Sequence, residues 1–376
     1  MLISAADVAR FHEDGVLLLR GAISPEWRRF LDDAAQELED APGPLSETVV
    51  SESSSRAHCE SRGGGSSGSG GHRRGAASGM SASSARRGNQ ASNQASRSEY
   101  FTDMEMAQRL RAFDEFARRG PCAEIAGALM RSDRVHFLYD QYFGQRANFS
   151  KSVAPSTPWH QDQPYWQVSG EQVISIWTPL DPTPPGYEVQ FIKGSHRWQE
   201  HSPFHFGSGD QYAGTDLPRL PNIDDGVAQG LYEVLSFPDA MPGDVVVFSA
   251  MTVHGQAPGS ASTMAAAAEA PAVGIDQKQG QKSNFISAGT RRRGRKGKHK
   301  GVTTTSNKPS MARFRRFATR FTGDDARYFP RKGEAADVVP STQFPCDLEA
   351  GDEMECERFP LVWTRWDGLV SESSRL

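Results

Sequence analysis

Two residues two positions apart, His160 and Asp162, set in the run Thr157-Pro158-Trp159-His160-Gln161-Asp162, carry the first hint of chemistry in this chain. Alternate residues of a β-strand point to one face with Cα atoms about 6.6 Å apart, so an imidazole and a carboxylate at this spacing can close on one metal ion. A further histidine would complete a 2-His-1-carboxylate facial triad. That donor set holds non-haem Fe(II) and leaves positions open for oxygen and an organic cosubstrate. His254 is the candidate; it follows a Pro242-Gly243-Asp244 turn and the β-branched run Val245-Val246-Val247-Phe248.

A lone H-x-D pair is common at polar strand edges, and its weight comes from the surroundings. Asp162 is followed by Gln163-Pro164-Tyr165-Trp166, by the apolar stretch Val173-Ile174-Ser175-Ile176-Trp177, and by Gln190-Phe191-Ile192-Lys193-Gly194-Ser195-His196-Arg197-Trp198. Downstream come Thr252-Val253-His254-Gly255, then Arg320-Phe321-Thr322-Gly323-Asp324-Asp325-Ala326-Arg327-Tyr328 and Phe359-Pro360-Leu361-Val362-Trp363. Together with Phe11 to Gly21 and Tyr139-Asp140-Gln141, these runs resemble the phytanoyl-CoA dioxygenase family of Fe(II)- and 2-oxoglutarate-dependent oxygenases.

The resemblance implies a mainly β fold with flanking helices, a double-stranded β-helix of the jelly-roll type. Its implied ligands are His160, Asp162 and His254. Fe(II) is the implied metal, 2-oxoglutarate and O2 the cosubstrates, and hydroxylation of a small organic substrate the reaction. Related iron halogenases carry a small residue in place of the carboxylate, so Asp162 points to hydroxylation. The alternative is a jelly-roll metal- or ligand-binding protein that has lost cosubstrate turnover.

A planar guanidinium is the side chain best suited to the distal carboxylate of 2-oxoglutarate. The family position for it falls on Phe314 in the run Arg313-Phe314-Arg315-Arg316. A one-residue slip would bring Arg315 there, and Arg316 shares the face of Phe314. Arg315 is taken first and Arg316 second. Trp177 matches a family tryptophan beside the cosubstrate, or else is a core aromatic. Where the family tends to place a lysine, this chain has Gln145, with Arg146 and Lys151 nearby. Gln161, between two ligands on a regular strand, points away from the metal.

The elements that must position these residues are legible in outline. Ser4 with Asp7 reads as a helix cap and Gly15 as its stop, followed by a strand from Val16. Ser24-Pro25 opens a second helix whose Trp27, Phe30, Leu31, Ala34, Ala35 and Leu38 recur at helical spacing. Helical spacing resumes near Thr102 and runs through Met104, Ala107, Leu110, Phe113 and Phe116, with a shorter helix from Cys122 to Met130. Short strands separated by Pro, Gly and Asp fill the stretch from Val135 to Phe248.

The chain of 376 residues reads as a single domain carrying two disordered insertions, at about 42–98 and 256–310, both poor in apolar residues. Lys and Arg total 42 against 46 Asp and Glu, which gives no global pull toward nucleic acid. The basic run 291–300 is a solvated loop in the plainer reading and a nuclear address or phosphate contact in the sharper one, and binding to nucleic acid is not expected. Cys59, Cys122, Cys346 and Cys356 have neither zinc nor disulfide-framework spacing, which fits a reducing compartment. No signal peptide or membrane-spanning run is read, and a cytoplasmic location follows as the expectation.

Overall fold

The computed structural model describes residues 3–53, 96–147, 157–206, 209–256, 312–334 and 346–365. Helix α1 (Ala5–Asp14) starts on a capping box, in which Ser4 Oγ accepts from the Asp7 N–H and the Asp7 carboxylate accepts from the Ser4 N–H. Gly15 ends it with φ of 80°, a conformation that only glycine adopts at little cost, and turns the chain into β1 (Val16–Leu19). Helix α2 (Pro25–Asp40) has Ser24 as cap and buries Leu31, Ala34, Ala35 and Leu38. These readings hold as the sequence predicts them.

A hairpin, β2 (Glu47–Ser53) and β3 (Ser96–Met104), then leads to α3 (Arg111–Arg119), α4 (Cys122–Met130) and the long β4 (Arg134–Ala147). β5 (Thr157–His160), β6 (Val168–Ser169), β7 (Val173–Pro179) and β8 (Gln190–Ile192) follow, then α5 (Ile223–Ala228), β9 (Val234–Ser236), β10 (Val245–Ser249) and β11 (His254–Gln256). The chain closes with β12 (Ala312–Thr322), β13 (Arg327–Tyr328) and β14 (Leu361–Thr364).

The hairpin departs from expectation twice. Residues 47–53 and 96–98, assigned to the first insertion, are strand, and Thr102 and Met104 lie on β3 rather than on a helix. The cause is pairing: β3 runs along β4 from Ser98↔Ala147 to Met104↔Gln141, and that backbone ladder outweighs a serine-rich composition. Residues 54–95 and 257–311, which include Cys59 and the basic run 291–300, and Lys151 lie outside the described residues.

Strand order in the major sheet is β1-β10-β7-β12-β4-β3-β2, with β14 also on β4, and in the minor sheet β5-β11-β8-β9. Every named pairing is antiparallel, as a double-stranded β-helix requires. Alternation divides the major sheet cleanly. Leu17, Leu19, Ile174, Ile176, Val245, Val247 and Phe317 face the helices, and Phe113 and Phe116 of α3 pack on Phe317 with ring centroids 5.1 and 5.7 Å away. Each such buried aromatic stabilises the fold by about 1.5–3 kcal/mol. The other face turns inward, where Val16, Trp177, Val246 and Phe248 meet Phe191 of the minor sheet. No helix among the described residues is long and apolar enough to cross a membrane.

Candidate metal centre

His160 ends β5, an edge strand, which is where Pro158 is tolerated because its missing N–H has no ladder partner to lose. Across from it, in register, His254 begins β11. The two imidazoles therefore face each other with ring centroids 4.3 Å apart. The register shifts between His254 and Gln256, and Gly255 lies at that shift. A Cβ on Gly255 would stand 2.9 Å from the Thr157 carbonyl oxygen and 3.1 Å from the Trp159 nitrogen. Gly255→Ala must spread β5 from β11 at the histidine pair, and Fe(II) affinity should fall at least ~10-fold, measured by anaerobic metal titration with the fold checked by circular dichroism.

Asp162 arrives by a different route from the one the spacing suggests. The strand stops at His160, and Asp162 is helical in backbone conformation (φ −75°, ψ −44°), opening a 3-10 turn over Gln163–Tyr165. The turn is pinned because the N–H groups of Asp162 and Gln163 both donate to the Ala250 carbonyl, at 2.9 and 3.0 Å. Gln161 points away as expected. Its amide donates to the carbonyls of Gln199 and Met251, and its oxygen accepts from the His201 N–H.

Donor chemistry converges on one point. His160 Nδ1 lies 2.8 Å from the Pro158 carbonyl and His254 Nδ1 lies 2.9 Å from that of Thr252. A carbonyl only accepts, so both Nδ1 atoms carry the proton and both Nε2 lone pairs are free for a metal. Asp162 Oδ1 is 3.5 Å from His160 Nε2 and 3.7 Å from His254 Nε2, while Oδ2 accepts from Ser175 Oγ at 3.2 Å. The three donor atoms lie within 4.8 Å of one another, a modest contraction away from the ~3 Å separation of neighbouring ligands around a small divalent ion. Two neutral imidazoles and one carboxylate on one face fit ferrous iron and leave the opposite face to other ligands.

The electrostatics suit the same purpose. Burial by itself would raise the Asp162 carboxyl, but in the metal-free protein attraction to the protonated forms of His254 and His160, and to Arg320, outweighs it and holds the group well below the carboxylate range. Burial pushes His254 down to about 4, with His160 acting in the same sense and Asp162 against it. The folded value lies below the ordinary 6.5, so the unfolded chain takes up this proton first as pH falls. Stability of the metal-free protein from this group is therefore full above pH ~6.5 and is lost as pH drops through about 4. Thermal melts between pH 7.5 and 4.5 should show that decline, and His254→Gln should flatten it.

The arginines of β12 are sorted by alternation. β12 pairs with β4 without a register shift from Ala312 to Arg320, so no slip brings Arg315 inward. Arg315 instead faces the helices, donating from Nε and Nη2 to the two Asp181 oxygens at 2.9 Å each and pairing with Asp32 of α2. That corrects its expected place beside the cosubstrate. Arg316 lies on the inner face, its guanidinium carbon 5.1 Å from the Trp177 ring and 4.6 Å from that of Phe314. Arg316, Trp177, Tyr187, Phe191, Phe237 and Phe314 line one cleft, and Phe191 stacks on the His254 ring at 5.9 Å. Arg316 Nε and Trp177 Nε1 are both buried without a hydrogen-bond partner among the described residues. Arg146 pairs with Glu39, and Gln145 is buried with its amide 3.5 Å from Ser98 Oγ.

Two contributors to the centre are not evident from residue order. Ser175 orients Asp162 from β7, and Arg320, four residues beyond Arg316 on the same inner face, is 4% exposed and touches Gln141. The signal for Arg320 is its even spacing from Arg316, visible only once the strand's inner face is known. Among the described residues, no other cluster of histidine, cysteine and carboxylate side chains forms a ligand set.

The family model for phytanoyl-CoA dioxygenase (PhyH) matches residues 11–262, well over half of the chain. The chain belongs to that family, a class of non-haem iron, 2-oxoglutarate-dependent dioxygenases, and the double-stranded β-helix and the His160, Asp162, His254 set agree with it. Among solved structures it is similar to the non-heme alpha ketoglutarate dependent epimerase SnoN from nogalamycin biosynthesis, at 15% identity and a TM-score of 0.52, covering 95% of this chain and 97% of that one. The non-heme alpha ketoglutarate dependent carbocyclase SnoK from the same biosynthesis gives 14% identity, a TM-score of 0.51, and coverage of 96% and 97%. SnoN has also been solved in complex with Fe3+, alpha ketoglutarate and a nogalamycin compound. At such identities these likenesses speak for the fold. No curated protein matched in the comparison by sequence. The family match stops before β12 and does not extend to Arg316 and Arg320.

Proposed function

We propose that this protein is a dioxygenase that hydroxylates a small organic substrate, with iron held by His160, Asp162 and His254 and the distal carboxylate of 2-oxoglutarate received by Arg316. The observation that carries the proposal is a pair of donors without acceptors. Arg316 Nε and Trp177 Nε1 are buried, with no partner among the described residues, in one cleft that reaches Phe191, whose ring lies on His254. A buried donor without an acceptor costs about 1–3 kcal/mol, which a carboxylate entering the cleft would recover.

Bound there, Fe(II) with 2-oxoglutarate and O2 supplies the oxidising power that turns a substrate C–H into C–OH, releasing succinate and carbon dioxide. The chain's own residues do the positioning. His160 and His254 present Nε2 because their Nδ1 protons are committed to backbone carbonyls. Ser175 holds one Asp162 oxygen and leaves the other for the metal. Trp177, Phe143 and Phe314 surround the Arg316 guanidinium and keep it aimed into the cleft. Tyr165 and Phe206 stack at 5.6 Å, and Phe206 lies edge-on 4.9 Å from the His160 ring, forming an apolar wall on the substrate side.

The test is oxygen-dependent release of succinate from 2-oxoglutarate by the purified, Fe(II)-loaded protein, with His160→Ala as blank. Succinate above the blank supports the dioxygenase. Metal and 2-oxoglutarate binding without succinate would favour the binding-protein alternative.

A further inference from the structure

Arg320 is a buried cation with too few partners. It is 4% exposed, and Gln141, whose oxygen accepts from Nη2 at 3.0 Å, is its hydrogen-bond partner. Nε and Nη1 are buried without a partner among the described residues. The guanidinium packs against the rings of Tyr139 and Trp166, at 4.3 and 5.3 Å, and these two rings meet edge-on. In register it faces Ser175, the residue that holds Asp162. Such a charge is costly to bury unless an anion meets it.

Charge accounting shows that the loaded centre lacks that anion. With iron and 2-oxoglutarate bound, Asp162 and the chelating carboxylate would balance the two charges of the metal, and the distal carboxylate would balance Arg316. Arg320 would then be left without an anion of its own. It stands four residues, about 13 Å of strand, beyond Arg316, next to the aromatic group of Trp166 and Tyr165 rather than in the Trp177 cleft.

We infer that Arg320 receives a carboxylate of the organic substrate, so that the enzyme acts on a small organic acid whose apolar body lies against Tyr165 and Phe206. The inference rests on the dioxygenase reading and narrows its substrate class. Arg320 acts here as a specificity-determining residue, and its vacant donors discriminate against a neutral analogue that cannot satisfy them.

The experiment uses the full chain loaded with Mn(II), a redox-inert stand-in for ferrous iron, and 2-oxoglutarate, against a panel of monocarboxylic acids paired with their primary amides. Thermal shift is read on wild type and on Arg320→Met, whose thioether can pack against the two rings. Members of the acid set should raise the melting temperature of wild type by several degrees, their amides should not, and Arg320→Met should abolish the acid response while keeping the response to 2-oxoglutarate. Unliganded Arg320→Met should melt at or above wild type, because an unpaired buried charge has been removed. Amides acting as well as acids, a 2-oxoglutarate response lost with Arg320, or a variant melting several degrees lower would each overturn the inference. Substrate-free succinate release by the wild-type protein reports separately on the dioxygenase reading.

Discussion

Asp162→Asn should abolish substrate-free succinate formation, lowering it at least ~10³-fold, and weaken Fe(II) binding by more than any other single change outside the two histidines. Asparagine keeps the size of the side chain and an oxygen for Ser175 to donate to, so the turn held by the Ala250 carbonyl should survive. What is lost is the anionic oxygen that stands 3.5 and 3.7 Å from the two Nε2 atoms. A neutral amide neither matches the charge of a divalent ion nor offsets the two neutral imidazoles. The melting temperature of the metal-free variant should stay close to that of wild type, which separates a lost ligand from a lost fold. A variant with wild-type iron affinity would remove Asp162 from the centre.

The second large effect is Arg316→Met, which should weaken the apparent affinity for the cosubstrate in steady-state turnover ~100-fold or more while Fe(II) affinity changes little. Removing one member of a buried, hydrogen-bonded charge pair costs about 2–5 kcal/mol, which corresponds to ~30-fold to several thousand-fold in binding. Arg315→Met is the matched control. Its guanidinium is committed to Asp181 and Asp32 on the helix side, so the variant should melt several degrees lower and leave the apparent cosubstrate affinity within about twofold of wild type. Succinate assays on the two variants across a range of 2-oxoglutarate concentrations decide the assignment, and an exchange of their effects would reverse it.

The contrast between Arg315 and Arg316 shows what a sequence conveys about such a centre and what it withholds. Residue type and order along the chain identify His160, Asp162 and His254, because a facial triad needs those donors whatever backbone delivers them. The delivery is less legible. An H-x-D pair looks like strand alternation, yet Asp162 reaches the metal from a 3-10 turn held by a shared carbonyl. Arg315 differs from Arg316 and Arg320 in facing, which a register fixed by β4 and β7 decides and which the second insertion hides from counting. The caps at Ser4 and Ser24 are readable because a cap is local chemistry. β2 and the start of β3 are not, because an edge ladder is made of backbone and leaves little trace in serine-rich sequence.

The most direct test of the metal centre is the number of Fe(II) ions bound per chain in anaerobic equilibrium dialysis, taken on wild type and on the His160→Ala, Asp162→Asn and His254→Ala variants. One tightly held ion is expected in wild type, with that binding lost in each of the three. Retention of a full ion by any one of them, with its fold intact, would contradict a centre built from these side chains.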